Sequence, residues 1–294
     1  MSEIAVIIPH RNGGERLLSC LSSIVETLPM DHEIWLVDDD SDDDSLENLR
    51  TKFPNVRILA FEQHRGTAAA RNAGLAATQA QNLLCIDADV ICAPGCLTRL
   101  IDALNQYDIA FPNLLSETGD RLNPRSSFSE RICLNSAVFG IRRDSLNRMD
   151  CWFDETIGIY GEDNDFFLRA NRHSLKFCYV KDAQAIHPQP TIIGERHFYL
   201  SVRNAIYVWL KLRCLVEYWM PMDIWIFFYL TAHLGGAVVN RSLSFPSIPY
   251  THKSRLRLLH LFFKALLWNY HSFDHTIIKR QQFRRALQHE NSNH

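Results

Sequence analysis

Apolar and polar positions alternate in blocks along the first 190 residues, and the blocks read as strands and helices in turn. Ile4–Ile8 is an apolar run of strand length, followed by the polar turn Pro9-His10-Arg11-Asn12-Gly13-Gly14. Glu15–Glu26 has helical spacing. Glu33–Val37 is a second strand, running into Asp38-Asp39-Asp40-Ser41-Asp42-Asp43-Asp44. A short helix over Ser45–Lys52, a strand over Val56–Ala60, a small-residue helix over Ala68–Ala80 and a strand over Asn82–Ile86 follow. Pro94–Asn105 reads as a helix and Asp108–Phe111 as a strand. This order predicts an α/β fold, a mainly parallel Rossmann-like sheet with helices on both faces. Ligands of such sheets sit at the carboxyl ends of strands. The polar clusters 9–14, 38–44 and 87–89 all fall there.

Further on the pattern loosens. Residues 113–135 are polar and read as a loop. Ala137–Arg142 reads as a strand, Gly161–Arg172 as a loop running into a helix, and Lys176–Val180 and Ala183–His187 as two short strands. After residue 195 the chain becomes aromatic and apolar through His197–Trp219, and Ile224–Val239 is a mostly apolar 16-residue stretch, short of the roughly 20 residues that span a bilayer. Arg255–Trp268 carries Arg257, His260 and Lys264 at helical spacing, with Phe262, Phe263 and Trp268 on a broad apolar face. The tail 279–294 is polar and reads as frayed. The chain thus divides into 1–194, an α/β domain, and 195–294, a helical C-terminal region.

Charge sharpens that division. Net charge is −2 overall, but residues 1–194 carry −10 and residues 195–294 carry +8. An acidic front half suits a bound cation, and a basic, aromatic back half suits an anionic surface. A helix lying in a membrane interface and a helical subdomain packed on the core, or forming a homo-oligomer, both fit that half. Nucleic acid fits poorly, because the aromatics stand in apolar blocks and not among spaced basic residues. The eight cysteines include no CxxC pair and no zinc spacing, as expected of buried thiols in a reduced, cytoplasmic protein. The N-terminus reads as a strand and not as a signal peptide.

The chemistry concentrates in Cys85–Cys92. Asp87 and Asp89 follow a buried strand with one small residue between them. Like charges so placed repel unless a cation shares them, and hard oxygens suit Mg²⁺ or Mn²⁺, which often carry substrate phosphates. The plainer alternative is a pair of acids capping the next helix. Asp38 and Asp39 are placed to accept hydrogen bonds from a base or ribose, whereas Asp42–Asp44 suit a helix N-terminus. Arg71, among small residues in Gly66–Gly74, has the planar fork that meets a pyrophosphate. Glu162, Asp163 and Asp165 cluster at a helix start, where capping and general-base roles both fit. His187 is either a buried structural histidine or a third metal ligand.

The ordered set PHRN, VDDDSDD, RGTAAARNAG, DAD, GEDND and a lone later histidine resembles the family 2 glycosyltransferases of the GT-A fold, over about residues 3–190. The back half is similar to the tail of bacterial rhamnosyltransferase-like members that work near the membrane in cell-envelope polysaccharide synthesis. The resemblance implies a nucleotide held by Pro9, His10, Asn12, Asp38, Asp39 and Arg71, with Asp87 assisting. It implies Mn²⁺ or Mg²⁺ on Asp89, Asp87 and His187, and Asp163 as catalytic base, with Glu162 and Asp165 orienting the acceptor. The implied reaction is inverting transfer of a sugar from a nucleotide-diphosphate donor to a saccharide or lipid-linked acceptor, at the inner face of the cell membrane. Two departures stand out: Asp40 where many relatives have glycine, and Arg65-Gly66 in place of the more usual Gly-Gly. A sugar-phosphate nucleotidyltransferase would carry a denser Gly-rich basic loop after the first strand. A receiver-like signalling domain would place its acids after the first strand. A non-catalytic membrane scaffold would tolerate loss of Asp89 and Asp163.

Overall fold

The computed structural model describes residues 3–28, 31–122, 136–149, 151–188, 194–212, 230, 234 and 255–292. They fall into two compact units, Met1–Gly158 with Glu162–Gln189, and Ile159–Gly161 with Pro190–His294.

The first unit is built on eight strands: β1 (Ile4–His10), β2 (His32–Asp38), β3 (Arg57–Ala60), β4 (Asn82–Ile86), β5 (Ile91–Cys92), β6 (Ile109–Leu115), β7 (Val138–Arg142) and β8 (Phe177–Ile186). They form one sheet in the order β3-β2-β1-β4-β7-β6-β8-β5. Only β7 and the two-residue β5 run against the others. The register places His10 beside Asp38 and Ile7 beside Cys85, so β1, β2 and β4 end on the same edge of the sheet.

Alternation along each strand feeds two cores. Ile4, Val6 and Ile8 of β1 face α1 (Gly14–Val25), α2 (Ser45–Lys52) and α4 (Cys96–Leu104), through Leu17, Leu21, Leu49, Leu97 and Leu100. Ala5 and Ile7 face the other way. They join Ala68 and Leu75 of α3 (Thr67–Ala77), Leu146 of α5 (Arg143–Asn147), and Phe166 and Phe167 of α6 (Glu162–Arg172). Gly74 lets α3 lie close on β1, since a Cβ there would meet Ile7 Cγ2 at 2.5 Å. The helix of small residues therefore packs closely, as its composition predicts.

Three expectations change here. Lys176–Val180 and Ala183–His187 are one strand, β8, whose pairing with β6 shifts between Pro112 and Asn113. Lys181, Asp182 and Ala183 are unmatched at that shift, an irregularity within one continuous strand. β6 itself runs on to Leu115, into the segment read as loop. Its ladder with β7 ends at Ala110, while that with β8 continues to Leu115, and a proline such as Pro112 is tolerated where one side of a strand is freed from its ladder. The rest of that segment, 123–135, lies outside the described residues, as does nearly all of Ile224–Val239.

The second unit contains α7 (Glu195–Leu212), α8 (Arg255–His271) and α9 (Phe273–Ser292). Phe198, Val202 and Ile206 of α7 pack against Leu258, Leu261, Phe262 and Ala265 of α8. Phe262 is therefore core, and Trp268 is half-buried, edge-on to Tyr207 and beneath Arg203. Neither belongs to an outward apolar face. Leu256, Phe263, Leu267 and Tyr270 do, and Arg257, His260 and Lys264 are exposed beside them. The polar tail is not frayed: α9 continues to Ser292.

Candidate functional site

The turn after β1 is tied to the turn after β2. Asn12 adopts φ +52° and donates from its backbone N–H to Ser41 Oγ at 3.0 Å. Its side chain exchanges two bonds with Asp42, to Oδ1 at 2.7 Å and from the backbone N–H at 3.0 Å. Pro9 is buried within β1. His10 is buried with Nε2 at 2.8 Å from Ser45 Oγ and 4.0 Å from Asp38. Burial pushes its imidazole below the usual range, against the pull of Asp38 and Asp43.

Asp38 and Asp39 lie side by side but do different work. Asp38 accepts from the Ser41 hydroxyl at 2.5 Å and the Ser41 backbone N–H at 3.2 Å. Asp39 accepts from the backbone N–H groups of Arg65 at 2.6 Å and Gly66 at 2.8 Å, and lies 2.8 Å from His64 Nδ1. It thus pins the loop that opens α3. Gly66 has φ +95°, and a Cβ there would come within 2.9 Å of Gly158 Cα. Gly66, the second position of the pair, is therefore where the fold requires a glycine.

Asp40 explains the other departure. Its φ is +63°, the left-handed region that favours glycine and that aspartate tolerates better than most residues. The turn keeps the glycine geometry with an aspartate in it.

At the end of β4 the acids meet a cation from within the protein. Arg71 on α3 is 1% exposed. Its fork donates to Asp87 Oδ1 at 2.6 Å and to Glu162 Oε1 at 2.9 Å, and reaches the Ser136 carbonyl at 3.4 Å. The guanidinium lies 5.2 Å from the Phe153 ring centroid. Arg71 is thus engaged by two carboxylates, one at the end of β4 and one at the start of α6. Its neighbour Asn72 clamps the following loop, exchanging two 3.0 Å bonds with the Phe153 backbone.

Glu162 and Asp163 open α6 beside this pair. Burial raises the Glu162 carboxyl to about 7, helped by the adjacent Asp163 and opposed by Arg71. Its Oε2 is buried with no partner among the described residues. Burial also raises Asp163, opposed by hydrogen bonding from the Asn164 backbone at 2.7 Å, by Arg71 and by the Ser136 backbone. Asp165 is not part of this group. Two residues along a helix is about 200° of rotation, so it faces away from Asp163. It is fully buried and pairs with Arg169 at 2.8 Å, and Arg169 binds the carbonyls of Cys151 and Trp152. Its carboxylate is thus turned into the protein, away from Asp163.

Asp89 is partly exposed, with Oδ1 3.5 Å from His187 Nε2. The histidine's backbone N–H donates to Leu115 carbonyl at 2.9 Å, which fixes its height at the end of β8. Among the described residues no three His, Cys, Asp or Glu side chains converge as a ready metal centre. Asp89 and His187 form a carboxylate–imidazole pair, while Asp87 is engaged by Arg71.

Sequence reasoning missed Ser41, Ser45, Ser136 and Phe153. The serines follow acids in VDDDSDDDS and carry the signature of Asx-type turns. Ser136 and Phe153 carry no local signal, because only tertiary folding brings them to Arg71.

Comparison with known proteins fits this geometry. The family model described as glycosyl transferase family 2 matches residues 5–159. The glycosyltransferase AglE of Haloferax volcanii is 24% identical over 76% of this chain and 79% of its own length. Two other curated relatives, GlyG of Streptococcus pneumoniae and the glycosyltransferase alr2836 of Nostoc, are matched over 37% and 34% of their length. The crystal structure of S. aureus TarS 1-349 in complex with UDP superposes with a TM-score of 0.59 at 20% identity, covering 99% of this chain and 92% of that one. GalNAc-T7 with UDP, GalNAc and Mn²⁺ gives 0.59 at 16% identity, over 90% and 54%. These structures share its mostly parallel α/β sheet, and the family model, matched over more than half of the chain, places it in glycosyl transferase family 2.

Proposed function

We propose that the chain transfers a sugar from a nucleotide-diphosphate donor to a hydroxyl acceptor by a single displacement with inversion. The observation that carries this is the placing of Asp163: a half-buried carboxylate with a raised pKa, beside the acids at the end of β4. The acceptor oxygen attacks the anomeric carbon as its proton passes to Asp163. The carbon–oxygen bond to the β-phosphate breaks, and its electron pair leaves with the nucleoside diphosphate. No covalent enzyme intermediate is needed.

The nucleotide end is formed by Pro9, His10, Asn12, Asp38 and Asp39, on turns already fixed to each other. UDP in TarS supports a nucleoside diphosphate there. Asp89 and His187 suit Mn²⁺ or Mg²⁺ by donor type, and Mn²⁺ in GalNAc-T7 supports the same reading. A bound divalent cation would neutralise charge on the leaving diphosphate. Residues 1–194 are taken as the catalytic domain.

The helical region 195–294 is read as resting on the anionic inner face of a membrane, which makes a lipid-linked saccharide the acceptor class. Its +8 charge and the exposed Leu256, Phe263, Leu267 and Tyr270 support this. Among the described residues no helix is long and apolar enough to cross a membrane.

The test compares wild type, Asp163→Asn and Asp89→Ala against UDP, GDP, dTDP and CDP, with and without Mn²⁺. Asp163→Asn is expected to lose transfer by about 100-fold or more while keeping nucleotide binding. Asp89→Ala is expected to lose the metal-dependent part of binding. Full turnover by Asp163→Asn would remove it as the base.

A further inference from the structure

Three carboxylates, Asp87, Glu162 and Asp163, come together where α3 passes between the end of β4 and the start of α6. Arg71 is the cation among them. It is 1% exposed, its two terminal nitrogens bind two different acids at 2.6 and 2.9 Å, and Phe153 lies against its plane. One acid belongs to the D-x-D turn after β4 and the other to the first turn of α6. They are 75 positions apart in sequence and share no other bridging side chain among the described residues.

We infer that Arg71 is a positioning residue: its guanidinium is a strut that sets the separation between the donor-side acids at the end of β4 and the base-bearing first turn of α6. This rests on the transferase reading above and adds to it a residue that touches neither donor nor acceptor. The geometry favours a strut over a ligand contact. Both terminal nitrogens are committed to protein carboxylates, and the side chain has almost no surface left for a substrate. Lysine cannot replace it, because a single ammonium on a flexible stem does not hold two partners in fixed directions. In-line displacement needs reacting atoms placed closely, and a shift of about 1 Å can cost about 100-fold in rate.

The test uses the full chain, with Arg71→Lys and Arg71→Gln assayed beside wild type. Wild type is first screened with UDP-, GDP-, dTDP- and CDP-sugars for turnover or slow donor hydrolysis. If none is turned over, the transferase reading fails and the strut loses its purpose, and this shows before any substitution is made. With wild type active, Arg71→Lys is expected to bind the nucleoside diphosphate within about threefold of wild type while kcat falls about 100-fold. Arg71→Gln removes the charge as well. The acids facing that position are Asp87, Glu162 and Asp163, and the last two lose a neighbour that favours their charged forms. The rising limb of the kcat–pH profile is therefore expected to move to higher pH by about one unit in Arg71→Gln and to stay in place in Arg71→Lys. A merely structural arginine would lower the unfolding temperature in both variants while their folded fraction kept the kcat of wild type. If Arg71→Gln does not fold, Arg71→Lys decides; if neither folds, Glu162→Gln breaks the same strut from its other end. A kcat within threefold of wild type in the deciding variant overturns the inference. So does loss of nucleotide binding with kcat intact, which would make Arg71 a ligand contact.

Discussion

Asp40 shows how one residue can break a family pattern without breaking the turn. It holds φ +63° with its carbonyl accepting from Arg11 Nε at 3.3 Å. A left-handed conformation costs an L-residue about 1–2 kcal/mol, less for aspartate, and nothing steric for glycine. Asp40→Gly is expected to leave stability unchanged or raise it by up to ~1 kcal/mol, as the looser unfolded chain offsets part of the relief. Asp40→Val is expected to cost ~1–2 kcal/mol, because a branched Cβ tolerates this region poorly. Urea unfolding of the two variants checks both, and an Asp40→Val as stable as wild type would show that the turn relaxes freely. The acids themselves were legible one by one in the sequence. Their partners were not. Asp39 serves backbone N–H groups 26 and 27 positions on, and Asp87 meets Arg71 of a different helix. Nothing local encodes those distances.

At the scale of elements, the strands and helices of the first half follow their hydrophobic period closely, and Ser45–Lys52 and Asn82–Ile86 fall where the pattern places them. Period fails where a strand is irregular or very short. The register shift in β8 interrupts alternation, and the two residues of β5 have no period at all. The first turn of α6 is a further case, since three acids in four positions look like one group in sequence. Helical rotation separates them into Glu162 and Asp163 toward the β4 acids and Asp165 toward Arg169. The two acid types then make opposite predictions. Asp165→Asn leaves the buried Arg169 guanidinium without its charged partner, which typically costs about 3–5 kcal/mol. Asp163→Asn removes a carboxylate whose charged form is already disfavoured by burial, so stability should hold while activity falls. Chemical denaturation of both separates the roles. A loss under ~1 kcal/mol in Asp165→Asn would mean that Arg169 is satisfied by its carbonyls alone.

At the scale of the whole chain, charge is sorted along the sequence, −10 in residues 1–194 and +8 in residues 195–294. Basic residues alone would suit many anionic partners. What narrows the choice is the outward face of α8, where Leu256, Phe263, Leu267 and Tyr270 recur at spacings of seven, four and three, beside Arg257 and Lys264. An apolar stripe edged by cations matches an anionic bilayer, which offers hydrocarbon below and negative headgroups above. Burying one such side chain is worth about 1.5–3 kcal/mol, so Phe263→Glu with Leu267→Glu should weaken binding by well over tenfold. Both side chains point away from the α7 contact, so the fold should survive. Cosedimentation with phosphatidylserine-containing vesicles is expected to capture wild type, less so as salt rises, and to lose the double variant. Vesicles of phosphatidylcholine alone should capture little of either, because they carry no net negative charge to attract the basic residues of the helix. Equal capture of wild type and variant would place the contact elsewhere. If neither binds vesicles but the substitutions turn a dimer into a monomer, the stripe is covered by a second copy of the chain, and the lipid-linked acceptor loses its physical support.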